Sequence, residues 1–552
     1  MAVSQDMDIT REQRETVRSL LERHLPNTEA WAYGSRVKWT SRPASDLDIV
    51  VFAPPRQARL VGDLREAFSE SHLPFRVDLF VWDEVPRSFR QQIELEHVVL
   101  VPGKSINVPD AASRPNWTQL SLGRVCTKIG SGATPRGGKD VYLPHGPYAL
   151  IRSQNVLNEG FRDEGLAYIG AAHASQLKNV DVAEDDILLN ITGDSVARVC
   201  QVRPDVLPAR VNQHVAIVRP DPATLDPRFL RYALVSPEMQ TRLLSWAGSG
   251  APRNALTKGM IESLSVVAPQ DVGEQRAIGH ILGTLDDKIE LNRRMNDTLE
   301  AMARALFKSW FVDFEPVLAK MDQRDPGLPQ HICDLFPNAL DDEQQPSGWS
   351  RQTLTALAGV NPESWSSQNI PERVDYVDLA NTKWGTIETT HGFRWLDAPS
   401  RARRVLQPGD TIIGTVRPGN GSYALIAAHG LTGSTGFAVL RPRQCHHTAF
   451  VFLAATAPEN IERLSHLADG AAYPAIRPDV VGSTLAAVPD DALMAAFSEL
   501  ASPVLDQIES NKAQNETLAK ARDLLLPKLI SGEIRAAQAQ RAVEAVTGSA
   551  NA

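Results

Sequence analysis

The sequence predicts a multidomain α+β protein: two pseudo-repeated bodies separated by an antiparallel helical coiled coil, with an α/β domain at the N-terminus. Three observations carry this. Four segments recur in the same order at nearly constant offsets, each repeat closes on a long heptad-patterned stretch, and residues 1–104 stand outside the repeat.

The recurring segments are short but ordered. Asp186-Ile-Leu-Leu-Asn-Ile matches Asp410-Thr-Ile-Ile-Gly-Thr, and Ala216-Ile-Val-Arg-Pro220 matches Ala438-Val-Leu-Arg-Pro442. Gly250 through Leu256 matches Gly470 through Ile476, with Pro269 falling on Pro489. Last, Ile289-Glu290-x-Asn292-x3-Asn296-x-Thr298-Leu299 matches Ile508-Glu509-x-Asn511-x3-Asn515-x-Thr517-Leu518. The offset drifts only from 224 to 219 along the chain, as small loop insertions and deletions would make it.

Each repeat has a body rich in short β-type runs (215–218, 411–413, 437–440) punctuated by Gly and Pro turn signals. A helix follows each body. Ile278, Leu282, Leu285, Ile289, Asn292, Asn296, Leu299, Ala303, Leu306 and Trp310 step by alternating 4 and 3, a heptad seam. Ile508, Asn511, Asn515, Leu518, Arg522, Leu525 and Leu529 keep the same rhythm, with Pro503 and Pro527 interrupting the cleaner pattern. Asn292, Asn296, Asn511 and Asn515 thus fall on the seams, either as core amides that fix register or as amides at a wet helix edge. The resulting division is 1–104, a linker 105–116, a body 117–270, a spacer helix region 271–320, a linker 321–348, a body 349–490, a spacer helix region 491–535, and a disordered tail 536–552.

Bulk properties exclude several classes. Hydrophobic residues make up 43% of the chain with no apolar run of membrane-spanning length, and the N-terminus is polar and acidic rather than a signal peptide. Cys126, Cys200, Cys333 and Cys445 are scattered, which argues against a zinc site and a disulfide framework and fits a reducing cytoplasm. Net charge is −9, yet residues 116–269 hold 16 basic against 14 acidic side chains, and 349–489 hold 12 against 11. The charge neither supports nor forbids DNA binding.

The repeat resembles the specificity subunit of type I restriction-modification enzymes over residues 117–535. The residues that carry this are Gly132-Ala-Thr-Pro135, Asp186-Ile-Leu-Leu, Asn212-Gln-His-Val-Ala-Ile-Val-Arg-Pro220, Leu306-Phe-Lys-Ser-Trp-Phe-Val-Asp-Phe314 and Leu525-Leu-Pro-Lys-Leu-Ile-Ser-Gly-Glu-Ile534. The resemblance implies two target-recognition domains, each reading half of a split double-stranded DNA site. The helices then act as spacer and as docking surface for two methyltransferase subunits. The methyltransferases would bring S-adenosylmethionine, and restriction (helicase-nuclease) subunits would add translocation and cleavage. Recognition itself implies no cofactor and no membrane. Base-contacting residues do not carry over from the family. Side-chain chemistry in loops proposes Arg136, Lys139, Arg152, Ser153, Gln154 and Asn155 in the first body. In the second it proposes Lys383, Arg394, Arg401, Arg403, Arg404, Arg417 and Asn420.

In the N-terminal domain a helix over 10–25 precedes Ala30-Trp-Ala-Tyr-Gly-Ser-Arg36, then Ser45-Asp-Leu-Asp-Ile-Val-Val-Phe52 and Arg76-Val-Asp-Leu-Phe-Val81. A strand over 46–52 would put Asp46 and Asp48 on one face, with Asp78 from a neighbouring strand completing a site for Mg²⁺. Gly34 and Ser35, at a strand-to-helix turn, would offer backbone N–H groups to phosphates. This pattern resembles the polymerase-beta type of nucleotidyltransferase in minimal form. The resemblance implies Asp46 and Asp48 as ligands for metal ions carrying a nucleoside triphosphate. It implies Asp78 as a further metal ligand that activates the attacking hydroxyl, and Ser35 as a phosphate contact. Two functions follow: a non-catalytic DNA-recognition subunit, or a nucleotidyltransferase that uses the repeat for targeting.

Overall fold

The computed structural model describes residues 7–101, 116–248, 255–468 and 474–548, apart from 27, 43–44, 54–57, 70, 72, 83–84, 86–92 and 94–96. All of the expected linker 105–116 but Asn116 therefore lies outside the described residues. Two compact units emerge: Met1–Arg124 with Ser263–Val272 and Ser531–Glu533, and Val125–Glu262 with Gly273–Ile530 and Ile534–Ala552.

The first unit is built on α1 (Arg11–His24), α2 (Ala58–Ser69) and a sheet in the order β3-β2-β1-β4, formed by Val77–Val81, Leu47–Val51, Ala30–Tyr33 and Val98–Val101. Thr10 starts α1 through a capping box with Gln13, which satisfies two end N–H groups. Period two sends Ala30, Ala32, Leu47, Ile49 and Val51 into a core shared with Val17 and Leu21 of α1 and Val61 and Leu64 of α2. The other face carries Trp31, stacked on His97 at 3.8 Å, and an edge-on pair of Trp31 with Phe52 at 4.6 Å. Strands Trp117–Ser121 and Ser265–Pro269 pair antiparallel in the same unit.

In the second unit each body holds two four-stranded sheets. The recurring sequence segments turn out to be adjacent strands. Ile187–Asn190 pairs antiparallel with Val215–Pro220, and Thr411–Gly414 pairs with Phe437–Pro442. One ion pair locks each set: Arg219 Nε to the buried Asp186 at 2.6 Å, and Arg441 Nε to the buried Asp410 at 2.9 Å. Gly132 is required because a Cβ there would lie 1.7 Å from the Val211 carbonyl oxygen, while neighbouring Thr134 donates to Gln213 Oε1 at 2.7 Å. The Gly-Ala-Thr-Pro and Asn-Gln-His motifs are thus two sides of one contact.

The spacer helices Val272–Phe311 and Asp491–Ile530 each run 40 residues. They run antiparallel: Asp286 faces Arg522 at 2.8 Å, and Phe311 faces Phe497 with ring centroids 4.8 Å apart. Pro503 and Pro527 lie inside the second helix, which continues past both. Two expectations need correction. Residues 536–548 form a helix rather than a disordered tail, because Ala-rich sequence favours helix and Ala539 and Val543 are buried. The Pro-, Gln- and Asp-rich segment 321–348 is packed, with Ile332 and Phe336 in a core containing Trp310 and Cys333 also buried.

The bodies rest on the helices through equivalent elements, Pro227–Val235 in the first and Thr448–Ala455 in the second. Their chemistry differs. In the first, Arg231 Nη1 donates to Asp286 Oδ2 at 2.5 Å, Tyr232 donates to the same oxygen at 2.6 Å, and Arg522 donates to Oδ1. Burial pushes the Asp286 carboxyl up, but Arg231 and Arg522 hold it below the usual range. In the second, Phe450 packs between Phe307 and Phe311 of the first spacer helix at 5.3 and 4.9 Å, with Leu505 and Phe497 in the same core.

Candidate functional site

The four seam amides form two cross-helix pairs. Asn292 Nδ2 donates to Asn515 Oδ1 at 2.9 Å and to Gln514 Oε1 at 2.7 Å; Asn511 Nδ2 donates to Asn296 Oδ1 at 2.7 Å. Asn292 is fully buried and Asn511 nearly so, which removes the wet-edge alternative for these two. The repeat equates Asn292 with Asn511 and Asn296 with Asn515, so each pair is the image of the other. A one-turn slip would separate these four amides from their partners across the seam.

In the second body the structure gathers several of the chosen basic residues. Arg394 ends the strand His391–Arg394 and pairs with Asp397 at 2.8 Å; Arg403 lies over the Trp395 ring at 4.4 Å; Arg401 is exposed beside them in the chain. Arg404 donates to Ser364 Oγ at 3.1 Å, leaves its buried Nε without a partner, and is held below its usual pKa by burial. Arg373, which sequence reasoning missed, sits directly opposite Arg394 across the strands. Like charges so placed repel unless an anion comes between them. A second group forms where Trp384 N donates to the Gly421 carbonyl, which brings exposed Lys383 beside the turn holding exposed Arg417 and Asn420.

The first body gathers less. Arg136 and Lys139 are exposed at one turn, whereas Arg152 and Gln154 both donate to the Gly165 carbonyl. Asn155 is a correction. It is fully buried, accepts from Arg152 N, and donates to the Arg162 and Glu164 carbonyls, so it shapes the loop and has no face for DNA. Ser153 holds the loop as well, its carbonyl accepting from Asn190.

In the first unit Asp48 and Asp78 are register partners on parallel β2 and β3, and Tyr33 is the partner of Asp48 on β1. Exposed Asp46 immediately precedes β2. Burial first, then the charges of Asp78 and Asp46, push Asp48 up to about 6. That donor set fits a divalent cation, which would relieve the repulsion among these carboxylates. Asp78 meanwhile pairs with Arg76 at 3.0 Å. Gly34, at φ +84°, is where a Cβ would lie 2.3 Å from Asp48 Oδ2, so glycine lets the carboxylate approach the turn. The expected strand-to-helix turn is instead an irregular turn through residues 34–39, with Lys38 N donating to the Gly34 carbonyl. Ser35 therefore opens no helix.

Comparison with known proteins defines the class. Residues 115–301 match the family model for the type I restriction modification DNA specificity domain, and residues 15–104 match the polymerase beta nucleotidyltransferase model. The chain thus carries a type I restriction-modification specificity domain and an N-terminal nucleotidyltransferase domain, and its relatives include type I specificity subunits. Among its relatives is the type I restriction enzyme HindI specificity subunit of Haemophilus influenzae, 25% identical over 472 residues, 76% of this chain and all of the relative. The N-terminal 17% of the chain is similar to the probable protein adenylyltransferase MntA of the same organism, 40% identical over 95 residues and 83% of its length. A solved type I S subunit from M. genitalium covers 75% of this chain and 96% of its own at 17% identity, with a TM-score of 0.48. Among the described residues no helix is long and apolar enough to cross a membrane.

Proposed function

We propose that the second unit reads double-stranded DNA as two half-sites, one per body, with the spacer helices setting the gap and docking two methyltransferase subunits. The observation that carries this reading is the antiparallel pairing of two 40-residue helices in amide-fixed register, with a body seated on each half. Asp286 and Phe307, which mark the two seats on the first spacer helix, are about 21 residues apart, roughly 30 Å along a helix. One turn of duplex, the usual half-site separation for two-headed readers, is of similar length. Arg373, Arg394, Arg403 and Arg404 supply phosphate and base-edge donors in the second body. Recognition calls for no cofactor; S-adenosylmethionine chemistry belongs to the methyltransferase partners, and cleavage to restriction subunits.

Methylome sequencing with and without this gene tests the reading. Loss of one bipartite adenine-methylated motif is expected, and an unchanged methylome overturns it.

A second reading concerns the first unit alone and rests on the Asp48–Asp78 register. Asp46, Asp48 and Asp78 would hold Mg²⁺, which stabilises the charge that develops on the phosphates of a bound nucleoside triphosphate. Asp78 would take the proton of an attacking hydroxyl. The expected result is transfer of labelled nucleotide that requires Mg²⁺ and Asp46. Asp46→Asn with Asp48→Asn abolishes that transfer yet leaves methylation intact. Loss of methylation in the folded double variant would instead tie the two units functionally.

A further inference from the structure

The start of the second spacer helix meets the second body at three side chains of metal-binding type. His446 Nε2 lies 3.1 Å from Asp491 Oδ1, and His447 Nε2 lies 3.4 Å from the same oxygen. All three donor atoms fall within 4.8 Å of one another. Zinc bonds of about 2.0 Å in a tetrahedron place ligand atoms about 3.3 Å apart, so both contacts have the length of a tetrahedral edge. We propose that His446, His447 and Asp491 form a binding site for a transition-metal ion of the Zn²⁺ class, open to water at its fourth position, that ties the start of the second spacer helix to the second recognition body.

Three further features support it. His447 is nearly buried, and its Nδ1 faces the Leu357 carbonyl at 3.4 Å, the outer contact that leaves Nε2 as the ligand nitrogen. It occupies the N-cap position of Thr448–Ala455 without making a cap hydrogen bond, whereas its repeat counterpart Asp226 caps its own helix through Phe229 N at 2.9 Å. The other copy has Leu225 and Asp226 at the two histidine positions, so the histidine pair is peculiar to this half. A helix N-terminus disfavours cations, but Asp490, which caps Leu493 N, and Asp491 place two negative charges there. A protonated histidine paired with Asp491 is the competing account, and metal affinity separates the two.

The test uses the full chain, stripped by chelator and held in excess Mg²⁺ so that the N-terminal carboxylates are occupied. Titration with Co²⁺ should give the visible bands of a tetrahedral nitrogen–oxygen site at one equivalent, displaced by Zn²⁺. Zn²⁺ should also raise Tm. His446→Gln and Asp491→Asn, both at accessible positions, should each weaken binding by more than about tenfold and abolish the Tm rise. Equal affinity in either variant, or no tetrahedral bands in the parent chain, overturns the proposal.

Discussion

The two bodies are built on the same strand pairs and the same Asp–Arg lock, yet they rest on the spacer helices by opposite means. The first seat is a buried polar cluster of Arg231, Tyr232, Asp286 and Arg522. The second is an aromatic core of Phe307, Phe311, Phe450 and Phe497. The repeated backbone therefore fixes where a body sits and leaves open how it is held. Apolar contact is tolerant of small shifts, whereas a buried carboxylate shared by two guanidiniums is stable only when all partners are present.

The largest effect should come from the aromatic seat. Phe497→Ala removes a ring that touches Phe307, Trp310 and Phe311, and should cost about 4 kcal/mol in urea unfolding. Asp286→Ala should cost about 3 kcal/mol, because it leaves Arg231 buried without its carboxylate. Copying the second seat into the first (Arg231→Phe, Tyr232→Leu, Asp286→Leu and Arg522→Ala together) should be neutral or stabilising. A combined variant as unstable as Asp286→Ala alone would show that the two seats are not equivalent.

The polar seat should also be the acid-sensitive one. Since Asp286 is held below its unfolded value, its contribution is complete above the ordinary carboxylate range and is lost as pH falls through its lowered pKa. Hydrogen exchange in Pro227–Val235 should rise in acid before that in Thr448–Ala455. Smaller still, Asn292→Leu with Asn515→Leu should stabilise the chain by about 1 kcal/mol while making the methylated motif's gap heterogeneous. In the first unit the pKa shift has the opposite direction, but acid again weakens the function. Asp48 is raised to about 6, so Mg²⁺ affinity measured by calorimetry should fall as pH is lowered through that value.

The repeat, the helices and their antiparallel pairing were legible in the sequence because periodicity and internal matching report backbone architecture. The carboxylates Asp48 and Asp78 were legible for the same reason, since strand alternation places them. Loop side chains were not. Asn155 has the residue type of a base reader, but its amide is consumed by local carbonyls, and residue type says nothing of partners. Arg373 was missed although period two puts it opposite Arg394 once the strand pairing is known. The polar seat did leave a trace. Aligning the copies sets Asp286 against Leu505 and Arg522 against Ala303, two charge-for-apolar exchanges at positions that face each other. The metal-type triad left none, because Asp491 joins the adjacent His446 and His447 from a separate element with no spacing rule.

The amide pairs have a consequence for ancestry and assembly. In the amide-to-amide bonds each half supplies one donor and one acceptor, so a half-length chain has what those bonds need to form with an identical copy about a two-fold axis. Such a homodimer would present two identical heads and favour a palindrome. The Asp286–Arg522 bridge breaks that equivalence, since its acid belongs to one half and its base to the other. The present chain thus keeps the symmetry of a dimer in its amides and has given it up in its charges.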